Sequence, residues 1–300
     1  MSEENLRIAM QKSGRLSEKC LALLCRAGVQ FDIRKDRLFY KAKNQPVELM
    51  LVRDDDIPEY VHDGVCHLGI VGLNELEEKI GSEITNQTSN KQQVEIVRRL
   101  GFGHCRLSLA WPKDKAFEGL SSFQDMRIAT SYPQILERFL KKNGVEASIV
   151  EISGSVEVAP TIGIADAVCD LVSTGGTLQS NGLREVITLL ESEAVLVRNN
   201  KAFSPTQERF IKKILVRIDG VLKAQTAKYI MMNAPKEKLE QISRLIPGME
   251  KPTIMPLMLD DSKVAIHAVA KEDIFWETME QLKEAGATSI LVMPIEKMIE

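Results

Sequence analysis

Aromatic residues are scarce, at 5% of the 300 residues, and neither sign of charge prevails, the formal net charge being −3. Few aromatics argue against a stacking platform for single strands, and the absence of a basic excess argues against nucleic acid as a partner. Basic groups that bind phosphate must therefore be local. The five cysteines (Cys20, Cys25, Cys66, Cys105, Cys169) show no CxxC pair and no metal-ligand spacing. Four of them lie in apolar segments, where a reduced thiol behaves as a small hydrophobe. No apolar run approaches the length that spans a bilayer. The start of the chain carries Glu3, Glu4, Arg7, Lys12, Arg15, Glu18 and Lys19, which is unlike a secretory signal. The expected setting is a reducing cytoplasm, without a membrane. His62, His67, His104 and His267 are too dispersed for a metal cluster, and no Ser/His/Asp order suggests a triad.

What is present is a globular composition, 44% apolar and 27% charged, in a chain long enough for two or three compact units. Strand-like and helix-like segments alternate at first. Leu6–Met10 reads as a strand, followed by an amphipathic helix over Leu16–Ala27 that Gly28 stops. Val47–Val52 and His67–Val71 are nearly continuous apolar runs, as strands covered on both faces require. Further strands are expected at Arg106–Trp111, Arg127–Thr130, Ala147–Ile152, Val168–Val172, Glu185–Leu190 and Ala194–Val197. Helices are expected at Pro133–Asn143 and Pro205–Ala224. These segments predict an α/β protein of two lobes with a cleft between them, its sites at the carboxyl ends of strands. Residues 1–100 and 184–225 are assigned to one lobe and 101–183 to the other, both late strands returning to the first.

The last 75 residues read as βαββαβ: Lys228–Met232, Lys236–Leu245, Ile254–Met258, Lys263–Ala270, Lys271–Ala285 and Ser289–Met293. Asp260-Asp261 is the expected link of the central hairpin. This is the order of a ferredoxin-like unit, placed at 226–300.

Several turns carry chemistry. Asp170 is followed by Leu171, Val172 and the run Ser173-Thr174-Gly175-Gly176-Thr177. Glycines permit close backbone approach, hydroxyls add donors, and backbone amides before a helix suit a phosphate. Asp170 is placed to accept from ribose hydroxyls. Gln11-Lys12-Ser13-Gly14-Arg15 sets two cations where a strand gives way to a helix, favouring an anion, although a solvated loop would look the same. Arg53-Asp54-Asp55-Asp56 occupies the same topological place. Asp56 reads as an N-cap for the helix at Ile57-Pro58, leaving Arg53 and Asp54 as site candidates. Glu157, in Gly154-Ser155-Val156-Glu157, is either a ribose- or metal-orienting acid or an exposed one. Thr130-Ser131-Tyr132-Pro133 reads as a capped helix start, with Tyr132 toward the cleft. Arg106, inside a strand, needs a partner to offset desolvation.

Taken together, AMQKSGRL, VRDDDIPEYVHDGV, LGIVG, RIATSYP, GSVEVAP, DLVSTGGTL, KYIMMNAP and FWETMEQLKEAGATSILVMPIEKM resemble, in order, the long-form ATP phosphoribosyltransferases. The resemblance implies a catalytic core resembling periplasmic binding proteins and an ACT-like regulatory domain. It implies transfer of phosphoribose from phosphoribosyl pyrophosphate to N1 of ATP, the first step of histidine biosynthesis. It also implies dependence on Mg²⁺ carried mainly on substrate phosphates, inhibition by histidine, and dimers that assemble into hexamers. On that resemblance Ser173, Thr174, Gly175, Gly176 and Thr177 hold the 5′-phosphate and Asp170 the ribose. Lys12, Arg15 and Arg53 serve the phosphates, and Glu157 carries over as a further catalytic residue. Arg15, Leu16, Asp54, Gly72 and Arg106 face ATP, and Asn233, Met249, Thr253, Val269 and Ser289 enclose histidine.

Adenine N1 carries no proton, so no general base is required, and electrostatic stabilisation of the departing diphosphate is the main demand. Two rival readings remain: a two-lobed sensor without catalysis, and a phosphoribosyltransferase for another base.

Overall fold

The computed structural model describes residues 5–33, 37–85, 94–201, 203–246, 251–271 and 276–299. The chain forms two compact units: Met1–Ala22 with Val29–Arg209, and Leu23–Gly28 with Phe210–Glu300.

Two sheets make up the first unit. The chain enters the first sheet with β1 (Leu6–Gln11), β2 (Phe39–Lys41), β3 (Val47–Val52), β4 (Leu68–Gly72) and β5 (Val94–Arg99). Helices α1 (Ser17–Arg26), α2 (Ile57–His62) and α3 (Leu73–Thr85) follow β1, β3 and β4. It then builds the second sheet from β6 (Cys105–Pro112), β7 (Arg127–Thr130), β8 (Ser148–Glu151), β9 (Ala167–Val172) and β10 (Leu183–Ser192). Helix α4 (Pro133–Lys142) follows β7 and α5 (Gly176–Ser180) follows β9, before β11 (Ala194–Asn199) returns to the first sheet. The strand orders are β2-β3-β1-β4-β11-β5 and β10-β6-β9-β7-β8. β1 runs parallel to both neighbours, whereas β11 is antiparallel between β4 and β5.

Every residue of β3 and β4 is buried, which accounts for their continuous apolar runs. The one carboxylate in β3, Glu48, lies 3.6 Å from the Arg7 guanidinium, which offsets its desolvation. In the second sheet alternation sorts side chains to two cores: Ile128, Ala167 and Cys169 to one, Ala129 and Val168 to the other. Burial pushes the Cys20 and Cys66 thiols up to about 12, so both act as apolar filler.

Only one of the late strands returns to the first sheet. β10 pairs antiparallel with β6 from Leu183 to Ser192 and so belongs to the second lobe. Its side chains Val186, Ile187, Leu189 and Leu190 pack on that lobe's core, a destination that periodicity cannot specify.

In the second unit, the greater part of α6 (Pro205–Gln225) joins β12 (Ala227–Pro235), α7 (Leu239–Leu245), β13 (Thr253–Leu257), β14 (Asp260–Lys271), α8 (Trp276–Glu284) and β15 (Thr288–Pro294). From Phe210 onward the helix packs with the second unit. The helix is tied there by local bonds: Arg217 donates to the Ala27 carbonyl, and Met298 N–H donates to the Gly220 carbonyl at 3.0 Å. The order βαββαβ gives the antiparallel sheet β13-β14-β12-β15. Ile230, Met232, Ala234, Val264, Ile266 and Ala268 pack with Ile242 of α7 and Leu282 of α8 on one face. The alternate residues Tyr229, Met231, Asn233, His267 and Val269 are only half-buried. Met258-Leu259, both almost fully exposed, make the central hairpin turn in place of Asp260-Asp261. Asp260 begins β14 instead, its carboxylate accepting from Ser262 N–H at 3.1 Å.

Candidate active site

The turn after β1 is shaped by its own glutamine. Gln11 Nε2 donates to Asp54 Oδ2 at 2.9 Å, across the ends of two neighbouring strands, and its Oε1 accepts from Leu16 N–H. The amide folds over Gly14, which sits at φ +125°, where a Cβ would stand 2.6 Å from Gln11 Nε2. Only glycine fits both constraints. The turn then directs Arg15 across to the second lobe, where Nη1 donates to Ser173 Oγ at 3.0 Å.

Opposite lies the hydroxyl-rich loop after β9. Gly175, at φ +80°, leads into α5, which is only five residues long. A single turn contributes little dipole, so an anion at this loop would have to be met by the loop's own amides and hydroxyls. Ser173, Thr174, Gly176 and Thr177 are exposed. A cavity of about 360 Å³ lies against this loop, and Arg15, Glu157, Asp170, Ser173, Thr174 and Thr177 line it. Burial, with the like charge of Glu157 adding to it, holds the Asp170 carboxyl above its ordinary range, while Arg15 acts the other way.

A larger cavity of about 750 Å³ opens between the lobes, with Arg15, Leu16, Asp54, Gly72, Glu75 and Tyr132 among its walls. Arg15, Leu171 and Ser173 line both cavities, so the Arg15–Ser173 pair stands at their junction. The far wall is a network that joins the lobes. Tyr132 Oη–H donates to Glu75 Oε1 at 2.7 Å, and Asn74 Nδ2–H donates to Tyr132 Oη and to Glu75 Oε1. Ser192 Oγ–H donates to Asn74 Oδ1 at 2.8 Å. Burial is the main cause of a raised Glu75 carboxyl, opposed by the Tyr132 hydrogen bond and reinforced by Asp54 and Asp55.

The expected site residues divide into those brought together and those kept apart. Arg15, Leu16, Asp54 and Gly72 line the larger cavity, and Glu157, Asp170 and Ser173 through Thr177, Gly176 excepted, line the smaller. Lys12 is exposed and lines neither. Arg53 is 80% exposed in its side chain and pairs with Asp55 at 3.2 Å. Arg106 finds its partner in Glu185 on β10, which also accepts from Ser108. That ion pair holds Glu185 below the ordinary carboxylate range. Asp56 occupies the cap position of α2 but makes no side-chain cap bond, because its own backbone is already helical at φ −84° and ψ −22°.

The start of α4 is capped from elsewhere. Buried Glu78 of α3 accepts from the Gln134 and Ile135 amides at 2.8 and 3.0 Å, whereas Thr130 and Ser131 bond other groups. Sequence reasoning missed Gln11, Asn74, Glu75 and Glu78. Asn74 and Glu75 lie just beyond β4, in the first turn of α3, near the strand's carboxyl end that drew attention to the other turns. His67 is structural: its Nδ1 accepts from Arg7 N–H, and burial lowers its pKa.

In the second unit, register places Asn233, Thr253 and Val269 on the half-buried face of the sheet, Thr253 opposite His267 and Val269 opposite Tyr229. Ser289, at φ +52°, lies where the pairing of β12 with β15 shifts beside Asn233. Met249 lies outside the described residues.

The ATP phosphoribosyltransferase family model matches residues 53–220, and that of the HisG C-terminal domain matches residues 224–297. The chain belongs to the ATP phosphoribosyltransferase family, in its long form. Its reaction joins the phosphoribose of phosphoribosyl pyrophosphate to N1 of ATP and releases pyrophosphate, the first step of histidine biosynthesis. The core is similar to the ATP phosphoribosyl transferase (HisG:HisZ) complex from Thermotoga maritima, at 28% identity and TM-score 0.58, over 71% of this chain and 98% of that one. Another similar structure is the alkanesulfonate-binding protein SsuA from Xanthomonas axonopodis pv. citri, at 16% identity and TM-score 0.44, over 73% and 74%. Among the described residues no helix is long and apolar enough to cross a membrane.

Proposed function

We propose that the larger cavity receives ATP and the smaller one phosphoribosyl pyrophosphate, with the departing diphosphate beside Arg15 and Ser173, where the cavities join. The observation that carries this reading is the shared wall: the cavities meet at Arg15, which bonds across the lobes to Ser173. A transferase of two anionic substrates needs a positive group where the diphosphate leaves, and alignment of the reacting atoms supplies much of the remainder. Exposed hydroxyls of the loop hold the 5′-phosphate, and Asp170 with Glu157 accepts from the ribose hydroxyls. Arg15 faces the departing diphosphate. Lys12 and Arg53, exposed in the free protein, reach substrate only once it is bound.

Among the described residues no group of three or more His, Cys, Asp or Glu side chains is arranged to hold a metal. Asp170 and Glu157, two carboxylates that line the smaller cavity together, fit a Mg²⁺ ion that arrives on substrate phosphates. When bound, the ion would neutralise charge on the diphosphate.

The C-terminal sheet is read as the regulatory domain, with histidine held by Asn233, Thr253, Val269 and Ser289. A cytoplasmic setting and assembly of dimers into hexamers complete the proposal. The test is steady-state kinetics of Thr174→Ala and Arg15→Ala. The Thr174 variant should raise KM for phosphoribosyl pyrophosphate and leave KM for ATP near its starting value. Equal effects on both substrates would reject the division of the cavities.

A further inference from the structure

The larger cavity is lined by two cations, Arg15 and Lys19, and by two carboxylates, Asp54 and Glu75. A triphosphate is drawn to the cations and repelled by the acids, so a nucleotide in this cavity turns its base toward Asp54 and Glu75. Asp54 is engaged by the Gln11 amide. Glu75 is held through one oxygen, Oε1 accepting from Tyr132 and Asn74, and its Oε2 has no hydrogen-bond partner among the described residues. The network thus fixes a carboxylate and leaves one acceptor for a ligand.

We propose that Glu75 accepts a hydrogen bond from the 6-amino group of the purine and faces the positive charge the ring gains during reaction. The assignment rests on the reading of this cavity as the ATP site. The step balances without a base. The N1 lone pair forms the bond to C1, the bond from C1 to the diphosphate oxygen breaks, and that electron pair leaves with the diphosphate. The ring becomes an amidinium shared over N1, C6 and the amino nitrogen, and the amino protons stay in place. An amino group on such a cation is a stronger donor, so its bond to a carboxylate tightens toward the transition state and raises turnover as well as binding. The same carboxylate repels the carbonyl oxygen of a 6-oxopurine, which gives selectivity by exclusion.

The experiment compares ATP with purine riboside 5′-triphosphate, which keeps N1 but lacks the amino group. Wild-type enzyme should prefer ATP by about 30-fold or more in kcat/KM, and Glu75→Leu should shrink that ratio to about 3-fold or less. Glu75→Gln keeps an acceptor and loses the charge, so kcat with ATP should fall about tenfold while KM moves much less. An unchanged ratio in Glu75→Leu, or full turnover in Glu75→Gln, overturns the proposal. Should the leucine variant fail to fold, with the Tyr132 hydroxyl stranded, the glutamine variant alone decides. Arg15→Ala separates the two levels: if it weakens ATP binding while the Glu75 variants change nothing, only the Glu75 assignment falls. If it also leaves ATP binding intact, the reading of the cavity falls with it.

Discussion

The two sides of the cleft between the lobes are built differently. On the α3–α4 side, Glu75 and Asn74 bond Tyr132, Glu78 caps α4, and Arg138 donates to the Glu77 carbonyl, so the lobes are knitted through partly or wholly buried groups. On the side of the Ser173 loop an exposed bond, Arg15 to Ser173, spans the gap among the described residues. Buried networks rigidify, whereas one exposed bond is worth little and yields easily to a ligand. The lobes are thus held firmly along the α3–α4 wall and only lightly at the Ser173 loop, where the proposed substrates would enter.

The sharpest way to break this contrast is Arg15→Ala, which removes the bridging cation and should lower kcat about 100-fold, or about 2.7 kcal/mol, with the melting temperature unchanged. Single-turnover rates and thermal unfolding on the same sample check both halves. Gly175→Val strains a positive-φ position in the loop and should raise KM for phosphoribosyl pyrophosphate about tenfold. An unaltered KM would remove the loop from the phosphate site.

On the knitted side the expected response is in stability instead. Glu78→Ala leaves two amides of α4 without their acceptor and should cost about 2 kcal/mol in denaturant unfolding, with kcat reduced far less than by Arg15→Ala. Equal loss of rate would erase the distinction between the two sides. Glu75→Gln, besides its effect on turnover, should give the smallest change in stability, with a pH signature. Because burial raises the Glu75 carboxyl in the folded protein, the folded state holds a proton more tightly than the unfolded state. Stability is therefore lost as pH rises from the ordinary carboxylate range through the raised value. The glutamine variant should melt higher than wild type at pH 8, with the gain vanishing at acid pH. A constant difference across pH would show that Glu75 carries no such cost. Away from the cleft, Asn233→Leu should weaken inhibition by histidine about tenfold without changing uninhibited turnover. Unchanged inhibition would move the regulator off this sheet face.

Much of the architecture was legible because burial leaves a period in the chain. β7 falls on Arg127–Thr130 as expected, and the β3 and β4 runs are apolar because both of their faces are covered. The turns that carry Arg15 and Ser173 could be picked out as turns that line cavities, since glycine and hydroxyl chemistry at a strand's end is local. What stayed hidden was non-local. Glu78 looks like one more acid on an amphipathic helix until α4 is placed against it, and Arg106 looks like a free cation until β10 brings Glu185 alongside.

The amino-acid sequence by itself determined which segments become strands and helices, where the glycine-bearing turns lie, and the family to which the chain belongs. These follow from periodicity, turn chemistry and local motif, all of which act over a few residues. Tertiary structure alone decided that β10 remains with the second sheet, that Arg15 meets Ser173, and that Lys12 and Arg53 stand away from both cavities in the free protein. Those outcomes depend on which surfaces pack together, and a side chain's partner across 158 residues of sequence leaves no period for a reader to follow.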